Sequence, residues 1–160
     1  MCSDPFSSAD PNFSAASEAR LIVIDTNIVL DAFVFNDPAS QPMTEALCNG
    51  SLRWLATPAM RDELARVLHY PKIKLRLALC QIMAEHVLSQ FDEQAQRVGA
   101  APTARVTCSD PDDQKFIDLA VAHQAILLSK DRAVLCLKKR LVTLGVAVQV
   151  AILPTLLNVK

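Results

Sequence analysis

The sequence predicts an α/β domain with a central, mostly parallel five-stranded sheet flanked by helices. Three observations carry this. Short apolar runs of strand length, unbroken by polar residues, imply strands buried on both faces, as parallel strands are. Stretches with helical apolar spacing alternate with them, as in chained βαβ units. The length of 160 residues and an apolar fraction of 51% suit one domain with a sizeable core and exclude disorder for most of the chain.

Residues 1–19 carry Ser, Asp and Pro and read as a flexible tail. They have neither the basic start nor the apolar run of a signal peptide. Residues 20–160 form the predicted domain. Leu21-Ile22-Val23-Ile24 is the first strand and stops at Asp25. Helical spacing follows through Ile28, Val29, Ala32 and Phe33. A second helix is expected over about Met43 to Cys48, ended by Asn49-Gly50. Leu52 to Ala56 is the second strand. Thr57-Pro58 supplies an N-cap and a first-turn proline for a helix with Leu64, Val67 and Leu68 on one face. His69-Tyr70-Pro71 ends it.

An amphipathic stretch from Lys72 to Arg97 fits one bent helix or two. Arg105-Val106-Thr107 is a weak third strand. Asp110-Pro111 opens a helix with Phe116, Ile117, Ala120 and Val121 on its apolar face. Ile126-Leu127-Leu128 is the fourth strand. Arg132 to Arg140 reads as one helix and Val146 to Ile152 as the last strand. Residues 141–159 lack charge, but Gly145, Gln149, Pro154 and Asn158 interrupt them. They read as a buried strand and a short turn of helix rather than a membrane span.

The five cysteines form no Cys-x-x-Cys pair, which argues against a zinc site or disulfide framework. They fit buried packing in a reducing, cytoplasmic setting. Trp54 is expected in the core, and His69, His86 and His123 at the surface.

The acids are placed more informatively than they are counted. Asp25 follows the first strand, Asp131 follows the fourth, and Asp110 and Asp113 open the helix between the third and fourth. In an open α/β sheet the carboxyl ends of the strands line the ligand crevice, so these acids should converge there. Glu63, near the start of the helix after the second strand, can face the same crevice. Two carboxylates about 5 Å apart repel by roughly 3 kcal/mol at an effective dielectric near 20. Such a group calls for protonation or for a hard cation, and Mg²⁺ or Mn²⁺ prefer oxygen ligands. A cation held this way suits phosphoryl chemistry, because it lowers the pKa of water and neutralises developing charge.

Each acid also has a plainer role. Asp131 can cap the Arg132–Arg140 helix. Glu63 can pair with Arg61 or Arg66 on its own helix. Asp110 and Asp113 can cap their helix start. Asp112 reads as solvated. Lys130, Arg132, Lys138, Lys139 and Arg140 form a solvated basic face, or else Lys130 and Arg132 hold phosphates beside the acids.

Taken in order, Leu21 to Asn27, Glu63 within Asp62 to Leu68, Ser109-Asp110-Pro111-Asp112-Asp113 and Ser129-Lys130-Asp131 resemble a PIN domain. The resemblance spans residues 20–155. It is strongest to the PIN-type toxins of bacterial toxin–antitoxin pairs. It implies a Mg²⁺- or Mn²⁺-dependent endoribonuclease acting on single-stranded RNA, with Asp25, Glu63, Asp113 and Asp131 as catalytic acids. Metal ligands would be Asp25, Asp113 and Asp131, with Asp110 beside them. Asn27 and Ser129 would support the acids. The resemblance further implies a cognate antitoxin, which would enter the acidic crevice, and a homodimer. The long tail and Lys130 between Ser129 and Asp131 depart from the family pattern, but no acid is missing.

Two other classes are compatible with the scaffold. A haloacid-dehalogenase-like phosphatase also starts with an apolar strand and Asp, but Asn27 stands where it needs a second acid. A non-catalytic nucleic-acid-binding or interaction module would not need the full acid set. The formal charge of −1 also looks different once the acids are placed. Removing Asp25, Glu63, Asp110, Asp113 and Asp131 leaves 12 of 17 acids against 16 basic residues, a body of +4 around an acidic pocket.

Overall fold

A computed structural model describes residues 19–152. The expected tail lies outside these residues but for Ala19, as does the expected helical turn after Ile152. The chain runs β1 (Arg20–Ile24), α1 (Thr26–Phe33), α2 (Gln41–Asn49), β2 (Leu52–Ala56), α3 (Pro58–Val67), α4 (Pro71–Cys80) and α5 (Ala84–Gln94). It continues through β3 (Ala95–Arg97), α6 (Gln114–His123), β4 (Ile126–Leu128), α7 (Arg132–Leu135), α8 (Lys138–Val142) and β5 (Val148–Gln149). Short 3₁₀ turns at Pro38–Ser40 and Pro111–Asp113 precede α2 and α6.

The strands form one five-stranded sheet in the order β3-β2-β1-β4-β5. Every pairing is parallel, with Ile22 opposite Trp54 on one side of β1 and Ile24 opposite Leu128 on the other. Ile22, Val23, Leu127 and Leu128 are fully buried, as the unbroken apolar runs require. Trp54 is in the core, edge-on to Phe91 with ring centroids 4.9 Å apart. The chain builds outward from β1 through β2 to β3, then returns to lay β4 against the other side of β1. The order therefore reverses between β1 and β4, and the crevice beyond their carboxyl ends is the expected ligand site of such a sheet.

Several boundaries differ from the sequence reading. The stretch from Lys72 to Arg97 is two helices and a strand. The break falls at Gln81, whose φ of 57° ends α4 in the left-handed region. The third strand is Ala95–Arg97, not Arg105–Thr107. It pairs on one side only, with β2, so its exposed Gln96 and Arg97 do not show the apolar run of a central strand. Residues 104–108 form a loop fastened to α6 instead. The Ala104 N–H donates to Asp118, the Cys108 N–H donates to Gln114, and the Gln114 amide donates to the Val106 carbonyl. Backbone groups bonded in this way are not available to a strand ladder.

Arg132 to Arg140 divides into α7 and α8, and only Val148–Gln149 of the last apolar stretch pairs as strand. Asn49-Gly50 ends α2 as expected, with Gly50 at φ 86°. Among the described cysteines only Cys108 is buried; Cys48, Cys80 and Cys136 are exposed, and all are free. His69, His86 and His123 are exposed. Among the described residues no helix is long and apolar enough to cross a membrane.

Candidate functional site

Asp25 is the residue at which β1 ends. Its backbone N–H still bonds the Leu128 carbonyl at 2.9 Å, so it sits level with the end of β4. The residue is 3% exposed at the switch point of the sheet. Ser129, fully buried at the end of β4, donates from Oγ to Asp25 Oδ2 at 2.7 Å. The same Oγ accepts the Asp131 N–H at 3.1 Å. One hydroxyl thus couples two acids that are far apart in sequence.

Asp131 caps α7, with Oδ1 accepting the Ala133 N–H at 2.9 Å. This plainer role does not compete with cation binding, since a carboxylate has a second oxygen. Asp113 is carried in by the Pro111–Asp113 turn and is buried. Carboxylate oxygens of Asp25, Asp113 and Asp131 all lie within 4.8 Å of one another. Three of the acids expected to meet therefore do.

Asp110 and Glu63 stand apart from that trio. Asp110 is not among the clustered ligands, contrary to the expectation; its Oδ1 accepts the Asp112 N–H at 3.0 Å and starts the turn that delivers Asp113. Glu63 faces the trio closely enough for its charge to act on Asp25. It pairs with neither Arg61 nor Arg66. Arg61 makes a two-pronged bond to Asp92 instead, at 2.7 and 2.9 Å. Glu63 Oε2 accepts from Thr26 Oγ1 at 2.5 Å, and Oε1 is ion-paired with Lys115. Lys115 is fixed in turn by the Asp112 carbonyl at 2.6 Å.

Asn27, expected to support the first acid, is exposed on α1. Its neighbour Thr26 is the buried residue that reaches Glu63. Lys115 is a site residue that the sequence reading does not single out. A signal for it exists: it lies two residues beyond Asp113, on the same helical start, among acids with no cation yet assigned. Lys130 is exposed and paired with Asp31 at 2.5 Å, whereas Arg132 is exposed with no ion pair among the described residues.

The electrostatics show how crowded the trio is. Burial pushes Asp25 above the usual carboxylate range, against the hydrogen bond from Ser129; the charges of Glu63 and Asp131 push the same way as burial. Asp113 is pushed up to about 8, first by burial, then by a hydrogen bond to Asp131 that only the protonated acid can donate. Repulsion from Asp25, Asp131 and Asp110 adds to it. Ionised, Asp113 leaves Oδ2 buried without a hydrogen-bond partner.

A buried, oxygen-only donor set with an orphaned oxygen and mutually repelling charges fits a hard divalent cation. Asp25, Asp113 and Asp131 would hold it. No His or Cys is among them, which disfavours zinc.

Comparison with known proteins identifies the family and the fold. The family model described as PIN domain matches residues 21–133. Among solved structures, the fold is similar to a chain in the crystal structure of VapBC2 from Rickettsia felis bound to a DNA fragment from their promoter. The TM-score is 0.55 at 13% identity, covering 81% of this chain and 97% of that one. No curated protein matches. The family match covers most of the chain and contains all the clustered acids: the protein belongs to the PIN-domain family, whose members are generally nucleases.

Proposed function

We propose that this protein is a Mg²⁺- or Mn²⁺-dependent endoribonuclease acting on single-stranded RNA. The observation that carries the reading is the convergence of Asp25, Asp113 and Asp131 within 4.8 Å at the switch point of the sheet. A divalent cation held there supplies charge neutralisation at phosphorus and a lowered pKa for water.

The chain's own residues supply the rest. Ser129 fixes the Asp25 carboxylate, and the α7 cap fixes Asp131. Glu63 is held from both sides by Thr26 and Lys115, next to the trio but not within it. In this reading it accepts a proton from the attacking water. Lys115 and Arg132 are cations beside the acids, suited to the nonbridging oxygens of the phosphodiester. Lys130 serves there if RNA displaces Asp31 as its partner.

The fold likeness to a VapBC2 chain and the motif pattern support a toxin role, with a protein antitoxin as partner. A homodimer and a cytoplasmic location accompany that reading. A mixed RNA pool incubated with Mn²⁺, with and without EDTA, tests the reading. Wild-type protein should cut single-stranded RNA only with the metal, and Asp25→Asn should lose at least about 100-fold of the rate. Intact RNA under every divalent condition would leave the non-catalytic module as the better reading.

A further inference from the structure

Away from the acids, a groove of about 330 Å³ is lined by Arg105, Val106, Lys139, Arg140, Thr143 and Leu144. Arg105, Lys139 and Arg140 are exposed, and among the described residues none of them has an ion-pair partner. No acid lines the groove. From this we infer that the groove is a second nucleic-acid contact, which takes phosphates of a single-stranded RNA whose scissile phosphate lies at the acid trio. The inference rests on the ribonuclease reading.

Three features support it. First, the loop carrying Arg105 is rigidly held. Val106 is buried, and the loop's backbone is bonded to Gln114 and Asp118 of α6 at 2.7 to 3.0 Å. Arg105 is therefore presented from a fixed base rather than from a loose loop. Second, two chain segments connect the acids to the groove and touch on the way. One goes back from Asp113 through Cys108 to Arg105, and the other goes forward from Asp131 through α7 to Lys139 and Arg140. Cys108 Sγ joins them by a bond to the Ala133 carbonyl at 3.5 Å.

Third, the chemistry suits phosphodiesters. Arginine forks match phosphate oxygens, and lysine supplies a mobile point charge. Such groups set the register of a strand without reading its bases. The two apolar members, Val106 and Leu144, add no competing charge.

The test is equilibrium binding of fluorescent single-stranded RNA to the full chain in EDTA, over a range of salt. Wild type is compared with Arg105→Gln/Lys139→Gln/Arg140→Gln and with each single variant. For single strands the log–log salt slope changes by about 0.7 for each phosphate that the protein no longer neutralises. The triple variant should flatten the slope by about 2 and bind a long RNA more weakly by on the order of tenfold or more.

If the triple variant does not fold, each single variant still reads out one phosphate. An unchanged slope and affinity in the singles and the triple would overturn the groove, even if Mn²⁺-dependent cleavage is intact. Slope changes of the expected size, in a protein that cuts no RNA, would keep the groove as an RNA-binding surface and remove the nuclease reading.

Discussion

The Ser129 hydroxyl donates to Asp25 Oδ2 at 2.7 Å across the β1–β4 boundary, joining residues 104 apart in sequence. Because the same oxygen accepts the Asp131 N–H, a single buried group sets the spacing of two of the three clustered acids. Ser129→Ala should keep the fold, since it removes one atom from a fully buried site without adding bulk. It should lower RNA cleavage by about 10- to 100-fold, the usual cost of losing a group that orients a metal ligand. Cleavage rate against Mn²⁺ concentration measures this, with the half-saturating concentration rising in the variant.

Asp113 and Asp110 lie three residues apart and should behave differently. Asp113 is in the trio; Asp110 starts the turn that delivers it. Asp113→Asn should cost at least about 100-fold in cleavage. Asp110→Asn keeps an oxygen that can accept the Asp112 N–H, since Asn and Asp cap about equally well, and should cost less than about tenfold. Single-turnover rates with one labelled RNA compare the two directly.

Without metal, the acids make stability depend on pH. Asp113 has its folded pKa raised from 3.8 to about 8. Below about 4 both folded and unfolded states hold the proton and nothing is lost. Between about 4 and 8 the unfolded chain releases the proton while the folded protein keeps it, so stability falls as pH rises. Above about 8 the loss is complete. Thermal unfolding in EDTA should therefore show Tm declining across this window. Asp113→Asn should flatten the decline and raise Tm by a few degrees at neutral pH, although it inactivates the protein. Mg²⁺ or Mn²⁺ should raise wild-type Tm more at pH 8 than at pH 5, because the cation binds the ionised acids.

Much of this site is legible from strand ends alone. Asp25 and Asp131 follow buried apolar runs, and the switch-point rule brings such residues together whatever lies between them. Asp113 and Ser129 follow from the motif pattern. The third strand is not legible. Ala95–Arg97 continues helical apolar spacing and pairs on one side only, so the pattern along the chain carries no strand signal. Arg105–Thr107 has the composition of a strand, but the Gln114 and Asp118 side chains take its neighbouring backbone bonds. Lys115 is marked only by its place two residues after Asp113; that Thr26 and Lys115 both reach Glu63, across 37 and 52 residues, is not legible along the chain. Such pairings depend on how α1, α3 and α6 meet, and no local spacing encodes that.

The Glu63–Lys115 pair predicts a split between position and charge. Lys115→Met keeps much of the side-chain volume but removes the cation beside Glu63. It should lower cleavage by about 10- to 100-fold. Lys115→Arg, which keeps the charge, should recover part of the loss. Thr26→Val should weaken the rate less, since Lys115 still holds Glu63. Rates for the three variants at saturating Mn²⁺ measure the contrast.

The most direct test of the metal site is anomalous diffraction from crystals soaked in Mn²⁺. A strong anomalous peak is expected among the carboxylates of Asp25, Asp113 and Asp131, and it should be lost in Asp113→Asn crystals. A soaked crystal with no peak at the trio, from protein that cleaves RNA in the same Mn²⁺ solution, would contradict the trio as the metal centre.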